Sequence, residues 1–102
     1  MTKRIRFTPP ARAQLMAALA YIKADRPMAA ANFKQLATES LGRLVEFPES
    51  GRVVPEFPTF GFREILVGPY RFFYRASGET VWVVGVWHDA QIPDAPSAEG
   101  GG

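Results

Sequence analysis

Two arginines and the only histidine of the chain lie within one segment, YRFFYRASGETVWVVGVWH, at residues 70–88. An arginine binds phosphate or carboxylate groups through a planar fork of N–H donors, and a histidine can exchange a proton near neutral pH. Arg71, Arg75 and His88 could therefore form a catalytic site or a binding face. The structural alternative is that His88 is a hydrogen-bonding group at a strand end and that both arginines are ordinary ion-pair partners.

The composition narrows the kinds of site that the chain can carry. Its 102 residues, 47% of them hydrophobic, suit one domain with one small core. With no cysteine and a single histidine, we expect no metal site and no cofactor. No apolar run approaches the roughly 20 residues that span a membrane, and no apolar stretch of a signal peptide follows the basic start. We therefore expect a cytoplasmic protein.

The charges are unevenly distributed along the chain. All twelve basic residues lie at or before Arg75, together with six acidic residues, whereas the rest of the chain has four acids and no base. A basic body favours an acidic partner, either a nucleic acid or an acidic protein segment. The alternative is that this charge serves solubility alone.

One strand and two helices are predicted in the first half. "KRIRF" (3–7) alternates charged and apolar residues, as a half-buried strand does. Thr8 and the two prolines after it suit the start of a helix that ends near Ala24. "DRP" (25–27) separates it from a second helix, which Pro48 ends. Both helices carry apolar residues at helical spacing, so we expect a helical hairpin with a buried face.

Three strands are predicted in the second half, after a loop rich in proline and glycine at residues 48–61. These strands are Phe62–Val67, Tyr70–Arg75 and Thr80–His88, and Val53 with Val54 could form a short extra one. The order β-α-α-β-β-β predicts an α+β fold, with the helical hairpin packed on a small antiparallel sheet. We expect residues 1–90 to form a single domain and residues 91–102 to be a disordered tail.

The turns predict which side chains share a face of the sheet. If Ser77 and Gly78 are the central turn residues, Ala76 pairs with Glu79 and Phe73 lies opposite Trp82. The face toward the helices is then nearly all apolar: Arg63, Ile65, Val67, Tyr70, Phe72, Tyr74, Val81, Val83, Gly85 and Trp87. The other face is mixed: Phe62, Glu64, Leu66, Arg71, Phe73, Arg75, Trp82, Val84, Val86 and His88.

The mixed face predicts a partner site, because an exposed apolar patch rimmed by cations is typical of one. We expect the partner to bind to Arg71, Phe73, Arg75, Trp82 and His88. Arg63 lies on the core-facing side but could extend past the helices to the sheet edge and join them. Charge reversal at Arg71 or Arg75 is expected to abolish function and leave the fold intact.

Several motifs in this order resemble the RelE/ParE superfamily, the toxins of type II toxin–antitoxin pairs. The resemblance covers about residues 3–90 and rests on "FTPPARAQLMAALAYIKADRPMAAANF" as the helical hairpin, "LVEFPESGR" as the loop after it, and "FREILVGPYRFFYRASGETVWVVGVWH" as the closing strands. The combination is more specific than its "YR--YR" element alone, and it is closer to the ParE-like branch.

The resemblance implies a toxin that a cognate antitoxin neutralises, in a hetero-oligomer that binds operator DNA through the antitoxin and contributes to plasmid stabilisation. The ParE-like branch implies a non-enzymatic inhibitor of DNA gyrase. The alternative is a RelE-like, ribosome-dependent mRNA endonuclease, in which Arg71, His88 and Glu46 would be the catalytic candidates. Asp89 stands where that branch places a tyrosine, so the nuclease set is incomplete.

A third class of function is RNA binding on the sheet surface. If Phe73 and Trp82 are cross-strand neighbours, they could stack on bases beside Arg71 and Arg75. The residues leave this interpretation open beside the two toxin mechanisms.

Overall fold

The computed structural model describes residues 4–91 and 93. The elements in chain order are strand β1 (Arg4–Phe7), helices α1 (Pro9–Asp25) and α2 (Pro27–Glu46), and strands β2 (Arg52–Val53), β3 (Arg63–Val67), β4 (Tyr70–Ser77) and β5 (Thr80–His88). Within this part of the chain, neither helix is long and apolar enough to cross a membrane. The predicted tail at residues 91–102 lies outside the described residues, apart from Gln91 and Pro93.

The helical hairpin forms where the sequence predicts it. The side chain of Thr8 accepts a hydrogen bond from the Ala11 N–H, which satisfies one of the free donors at the start of α1. The two helices are separated by Arg26 alone, which is extended (φ −144°, ψ 104°). An extended conformation is expected there, because the following proline disfavours a helical residue before it.

The strands form one five-stranded sheet in the order β1-β5-β4-β3-β2. The pairs β5-β4, β4-β3 and β3-β2 are antiparallel, whereas β1 runs parallel to β5. The predicted α+β fold, with a helical hairpin on a sheet, is confirmed. The sheet is mixed rather than purely antiparallel, because the last strand, β5, lies beside the first strand, β1, and runs parallel to it.

The main core lies between the helices and the sheet. It contains buried apolar side chains of both helices and of the sheet face toward them, which we call the helix face: Ala11, Ala18, Phe33, Ala37, Leu41, Leu44, Val67, Tyr70, Phe72, Tyr74, Val81, Val83 and Val86. Ile5 and Phe7 of β1 pack against this core. The other face of the sheet, here the far face, therefore carries Arg4 and Arg6.

The far face is partly covered, which the sequence did not predict. Val54 and Phe62, from the loop between β2 and β3, bury Phe73 and Val84 in a second cluster. We call these four residues the far-face cluster. Phe57, Trp82 and Trp87 pack around it and are half-buried. Phe73 is therefore a core residue and not part of an exposed patch.

The register of the β4–β5 hairpin differs from the prediction. The central turn residues are Gly78 and Glu79, so Ser77 pairs with Thr80 and Arg75 with Trp82. Gly78 has φ +60°, as the first central residue of a type II′ turn requires. The predicted pairing of β3 with β4, by contrast, is confirmed.

A β-bulge in β5 changes the face of every residue after it. Tyr74 pairs with Val83, but Phe73 pairs with Gly85, which leaves Val84 as the extra residue. Val86 consequently packs in the helix-face core, and Trp87 lies on the far face. His88 pairs with Tyr70 on the helix face. The predicted face shared by Arg71, Arg75 and His88 is therefore wrong, because period-two alternation does not anticipate an inserted residue.

Candidate functional site

Arg71 is the most heavily engaged side chain among the predicted site residues. Its Nε donates to Glu64 Oε1 at 2.6 Å, and its two terminal nitrogens donate to both oxygens of Glu56 at 2.6 and 2.7 Å. The guanidinium also lies over the Phe73 ring, 5.0 Å from its centroid. Only 4% of the residue is exposed. Arg71 is thus an internal ion-pair partner, as the structural alternative predicted.

Two carboxylates neutralise this arginine. The Glu64 side chain is fully buried and forms a second ion pair with Arg52. Glu56 lies on the loop between β2 and β3, and its side chain is partly exposed. The hydrogen bonds to Glu56 raise the pKa of Arg71 above its ordinary value, and the hydrogen bond to Glu64 raises it by a smaller amount. The hydrogen bonds from Arg71 lower the pKa of Glu56 from 4.5 to about 2. The four groups, here called the ion-pair chain, run Arg52–Glu64–Arg71–Glu56 and have balanced charges.

Two further side chains, those of Tyr74 and Arg63, form hydrogen bonds with the backbone of the segment before β2. The Tyr74 hydroxyl accepts from the Gly51 N–H at 2.9 Å and donates to the Pro48 carbonyl at 2.8 Å. Burial raises the pKa of Tyr74. The Arg63 guanidinium donates to the Gly51 carbonyl at 2.9 Å. Arg63 therefore does reach the sheet edge, where it holds the chain's own backbone.

His88 is the last residue of β5 and lies on the helix face of the sheet. Its ring contacts the Tyr70 ring edge-on, with centroids 5.1 Å apart, and its Nδ1 accepts the Ala90 N–H at 3.0 Å. The sequence missed Gln14 of α1, whose Oε1 accepts a hydrogen bond from the Val86 N–H at 2.8 Å. A cavity of about 430 Å³ opens beside these groups, lined by Gln14, Ala17, Ala18, Tyr21, Tyr70, Val86, Trp87, His88 and Gln91.

The three catalytic candidates are not brought together. Arg71 belongs to the far face, and His88 to the helix face. Glu46 is exposed as the last residue of α2, in the helical layer. Within residues 4–91 and 93, no group of three or more His, Asp or Glu side chains is placed to hold a metal ion.

Arg75 and Trp82 are the predicted site residues that remain together on the far face. They lie directly opposite each other on β4 and β5, and both are half-buried. On the other side of Trp82, the register places Arg6 of β1, which is exposed. We call Arg6, Trp82 and Arg75 the cation–aromatic row. The sequence missed Arg6, because nothing local indicates that β1 pairs with β5.

The family model described as the ParE toxin of the type II toxin–antitoxin system, parDE, matches residues 5–93. No curated protein sequence matches the chain at a significant level.

Two solved structures have a similar fold. One is a chain of the chromosomal ParDE toxin–antitoxin system from P. aeruginosa, with a TM-score of 0.69 and 20% identity over 84% of this chain and 95% of that chain. The other belongs to the toxin–antitoxin complex RelBE2 from Mycobacterium tuberculosis, with a TM-score of 0.59 and 25% identity over 86% of this chain and 99% of that chain. The resemblance predicted from the sequence is confirmed. Since the family model covers almost all of the described residues, the chain belongs to the ParE toxin family of type II toxin–antitoxin systems, within the RelE/ParE superfamily.

Proposed function

We propose that the chain is a ParE-like toxin that inhibits DNA gyrase by protein–protein contact in the cytoplasm. We also propose that a cognate antitoxin binds and neutralises it. The family match supports the ParE-like branch. The antitoxin is supported by the two similar structures, both of which come from toxin–antitoxin assemblies.

The engagement of Arg71 is the observation that carries this proposal. Cleavage of RNA requires cations that stabilise the crowded phosphate in the transition state. The Arg71 guanidinium already gives three of its donors to Glu56 and Glu64, at 2.6 to 2.7 Å. A phosphate entering here would have to displace Glu56 and would meet the buried charge of Glu64. Both events oppose a catalytic role for Arg71.

The acid–base chemistry points the same way. A general acid and a general base must each lie within hydrogen-bonding reach of the reacting atoms. His88 and Arg71 lie on opposite faces of the sheet, and Glu46 ends a helix in the outer layer. A single bound nucleotide cannot touch all three. The RelE-like nuclease remains the alternative, and the similarity to the RelBE2 chain is the observation in its favour.

The contact surface for the target is proposed from the residues that stay accessible. Of the predicted partner-binding set, Arg63, Arg75, Trp82 and His88 are half-buried, whereas Arg71 and Phe73 are buried. We therefore retain the first four as proposed contact residues, with Arg75 and Trp82 on the far face and Arg63 and His88 on the helix face. Arg71 and Phe73 are proposed to support the far face from within.

The test compares two purified reactions. In the first, gyrase supercoils plasmid DNA with increasing amounts of the chain; we expect inhibition and an accumulation of cleaved DNA. In the second, the chain is added to a bacterial translation extract, and mRNA is examined by primer extension; we expect no cleavage at codons. The matched control is the chain preincubated with its antitoxin, which should restore supercoiling.

The outcome that overturns the proposal is mRNA cleavage with unaffected gyrase. His88→Ala then decides whether the nuclease interpretation holds, because loss of a catalytic histidine abolishes cleavage. Pulse-labelling after induction gives the same decision in cells. DNA synthesis should stop before protein synthesis if gyrase is the target.

A further inference from the structure

The cation–aromatic row crosses three neighbouring strands on the far face. Arg6 pairs with Trp82 across the parallel β1–β5 ladder, and Trp82 pairs with Arg75 across the antiparallel β5–β4 ladder. Paired side chains on one face have Cβ atoms about 5 Å apart. Trp82 therefore has an arginine opposite it on each neighbouring strand. Arg4 lies two residues before Arg6, on the same face of β1.

No acidic side chain of the described residues forms an ion pair with the cations of this surface. Strands β1, β4 and β5 contain no acidic residue. Among residues 4–91, the ion pairs join Arg52 and Arg71 to Glu56 and Glu64, and none involves Arg4, Arg6 or Arg75. This contrasts with Arg71 on the same face, which two carboxylates hold. The surface therefore keeps a positive potential that an anionic ligand can use.

The position of the row favours a planar ligand. Two cavities in the described part of the chain open on the helix side, one at the α1–β5 end and one between the two helices beside Phe7. The row lies instead on the far face of the sheet. A bound peptide usually anchors apolar side chains in pockets. A base needs only a flat aromatic surface, and its phosphates need cations beside it.

We infer that the cation–aromatic row is a binding surface for single-stranded nucleic acid, with one base stacked on Trp82 and the flanking phosphates held by Arg6 and Arg75. This inference goes beyond inhibition of gyrase and requires no cleavage. It also replaces the RNA-binding interpretation made from the sequence, because Phe73 and Arg71 are buried, and Phe73 lies opposite Gly85 rather than Trp82.

The test measures fluorescence anisotropy of labelled oligo(dT) and oligo(U) 12-mers with the full chain over a range of salt concentrations. For single strands, the slope of log K against log salt changes by about 0.7 for each phosphate contact. We expect the double variant Arg6→Gln/Arg75→Gln to flatten the slope by about 1.4. The ratio of the two affinities distinguishes DNA from RNA as the source of the ligand.

A matched control and a stacking variant complete the test. Arg12→Gln/Arg26→Gln removes the same charge from exposed positions on the helical hairpin and should leave the slope unchanged. Trp82→Leu should weaken binding about tenfold, whereas Trp82→Phe, which keeps an aromatic ring, should retain most of the affinity. Thermal unfolding of each variant confirms that the fold is retained. If Trp82→Leu does not fold, the comparison of Arg6→Gln/Arg75→Gln with Arg12→Gln/Arg26→Gln still tests the inference.

Three outcomes would overturn the inference. The first is an equal loss of slope in the Arg12/Arg26 control, which would make the binding a general charge effect. The second is equal affinity for a duplex of the same length, in which the bases cannot reach Trp82. The third is a polyglutamate peptide that binds with the same dependence on Arg6, Arg75 and Trp82, which would make the row a site for acidic peptides. A negative result leaves the gyrase assay unaffected, so the two proposals fail separately.

Discussion

Arg71 and Glu56 are joined by two hydrogen bonds of 2.7 and 2.6 Å that connect strand β4 to the loop between β2 and β3. This pair holds the loop against the far face, where Val54 and Phe62 cover Phe73. Val54 and Glu56 lie in residues 48–61, which the sequence predicts as a loop rich in proline and glycine. An arginine that the sequence presents as a binding residue is therefore a support for this loop.

Removing the buried charge should destabilise the fold. Arg71→Met leaves the buried Glu64 with Arg52 as its remaining partner, and we expect a loss of about 3 kcal/mol in the free energy of unfolding. The double variant Glu64→Met/Arg71→Met should recover most of this loss, because no uncompensated buried charge remains. Urea unfolding of the four members of the cycle measures both effects.

Charge reversal at Arg71 should be more severe still, since it places a third carboxylate beside Glu56 and Glu64. The expectation from the sequence, that Arg71→Glu abolishes function and leaves the fold intact, is therefore replaced by loss of the fold. A stable, folded Arg71→Glu variant would contradict the role of the ion-pair chain.

The stability of the chain should fall in acid partly through Glu56. Its pKa is lowered in the folded state from 4.5 to about 2, so its contribution is present above pH 4.5 and is lost as the pH falls toward 2. Unfolding free energies measured between pH 6 and pH 2 should drop less steeply for Glu56→Gln than for the original chain. Glu79→Gln, at the exposed β4–β5 turn, should follow the original curve. Parallel curves for all three proteins would exclude this effect.

Removing the Tyr74 hydroxyl should lower the free energy of unfolding. Tyr74→Phe leaves the Gly51 N–H without its acceptor in a buried position, and we expect a loss of about 1–3 kcal/mol. The segment at residues 48–51 should also become more sensitive to limited proteolysis. Tyr21→Phe is the matched control, because Tyr21 is 74% exposed and should tolerate the change. Equal stability of both variants would mean that the hydroxyl does not hold the loop.

Two glycines should respond to alanine with opposite signs. A Cβ at Gly51 would lie 2.6 Å from both the Glu64 carbonyl oxygen and the Tyr74 hydroxyl, so Gly51→Ala should shift the backbone and lower the melting temperature. Gly42 lies within α2 with no other atom near its Cβ position, and Gly42→Ala should stabilise the chain by about 0.5–1 kcal/mol. Calorimetry of the two variants checks both signs, and a tolerated Gly51→Ala would show that this approach is not tight.

Much of the fold follows from local chemistry. Thr8 with its prolines specifies the start of α1, Pro27 limits the connection to one residue, and alternation specifies the strands. The β3–β4 pairing was also predictable, because no bulge interrupts the pairing of the two strands beyond the Gly68-Pro69 turn. These features depend on neighbours in the chain, so the sequence carries them directly.

The candidate site depended on contacts between residues that are distant in the chain. The bulge at Val84 moves His88 to the face opposite Arg71, and the parallel pairing of β1 with β5 brings Arg6 beside Trp82. Glu56 and Glu64 neutralise Arg71 across 15 and 7 residues of chain.

The sequence by itself determined the family, the α+β class and the three arginines and one histidine worth testing. Only the tertiary structure decided which of those groups are free. The physical reason is that a charge is available to a ligand only when no internal counter-charge occupies it. That occupancy is set by strand register and loop packing, neither of which is a local property.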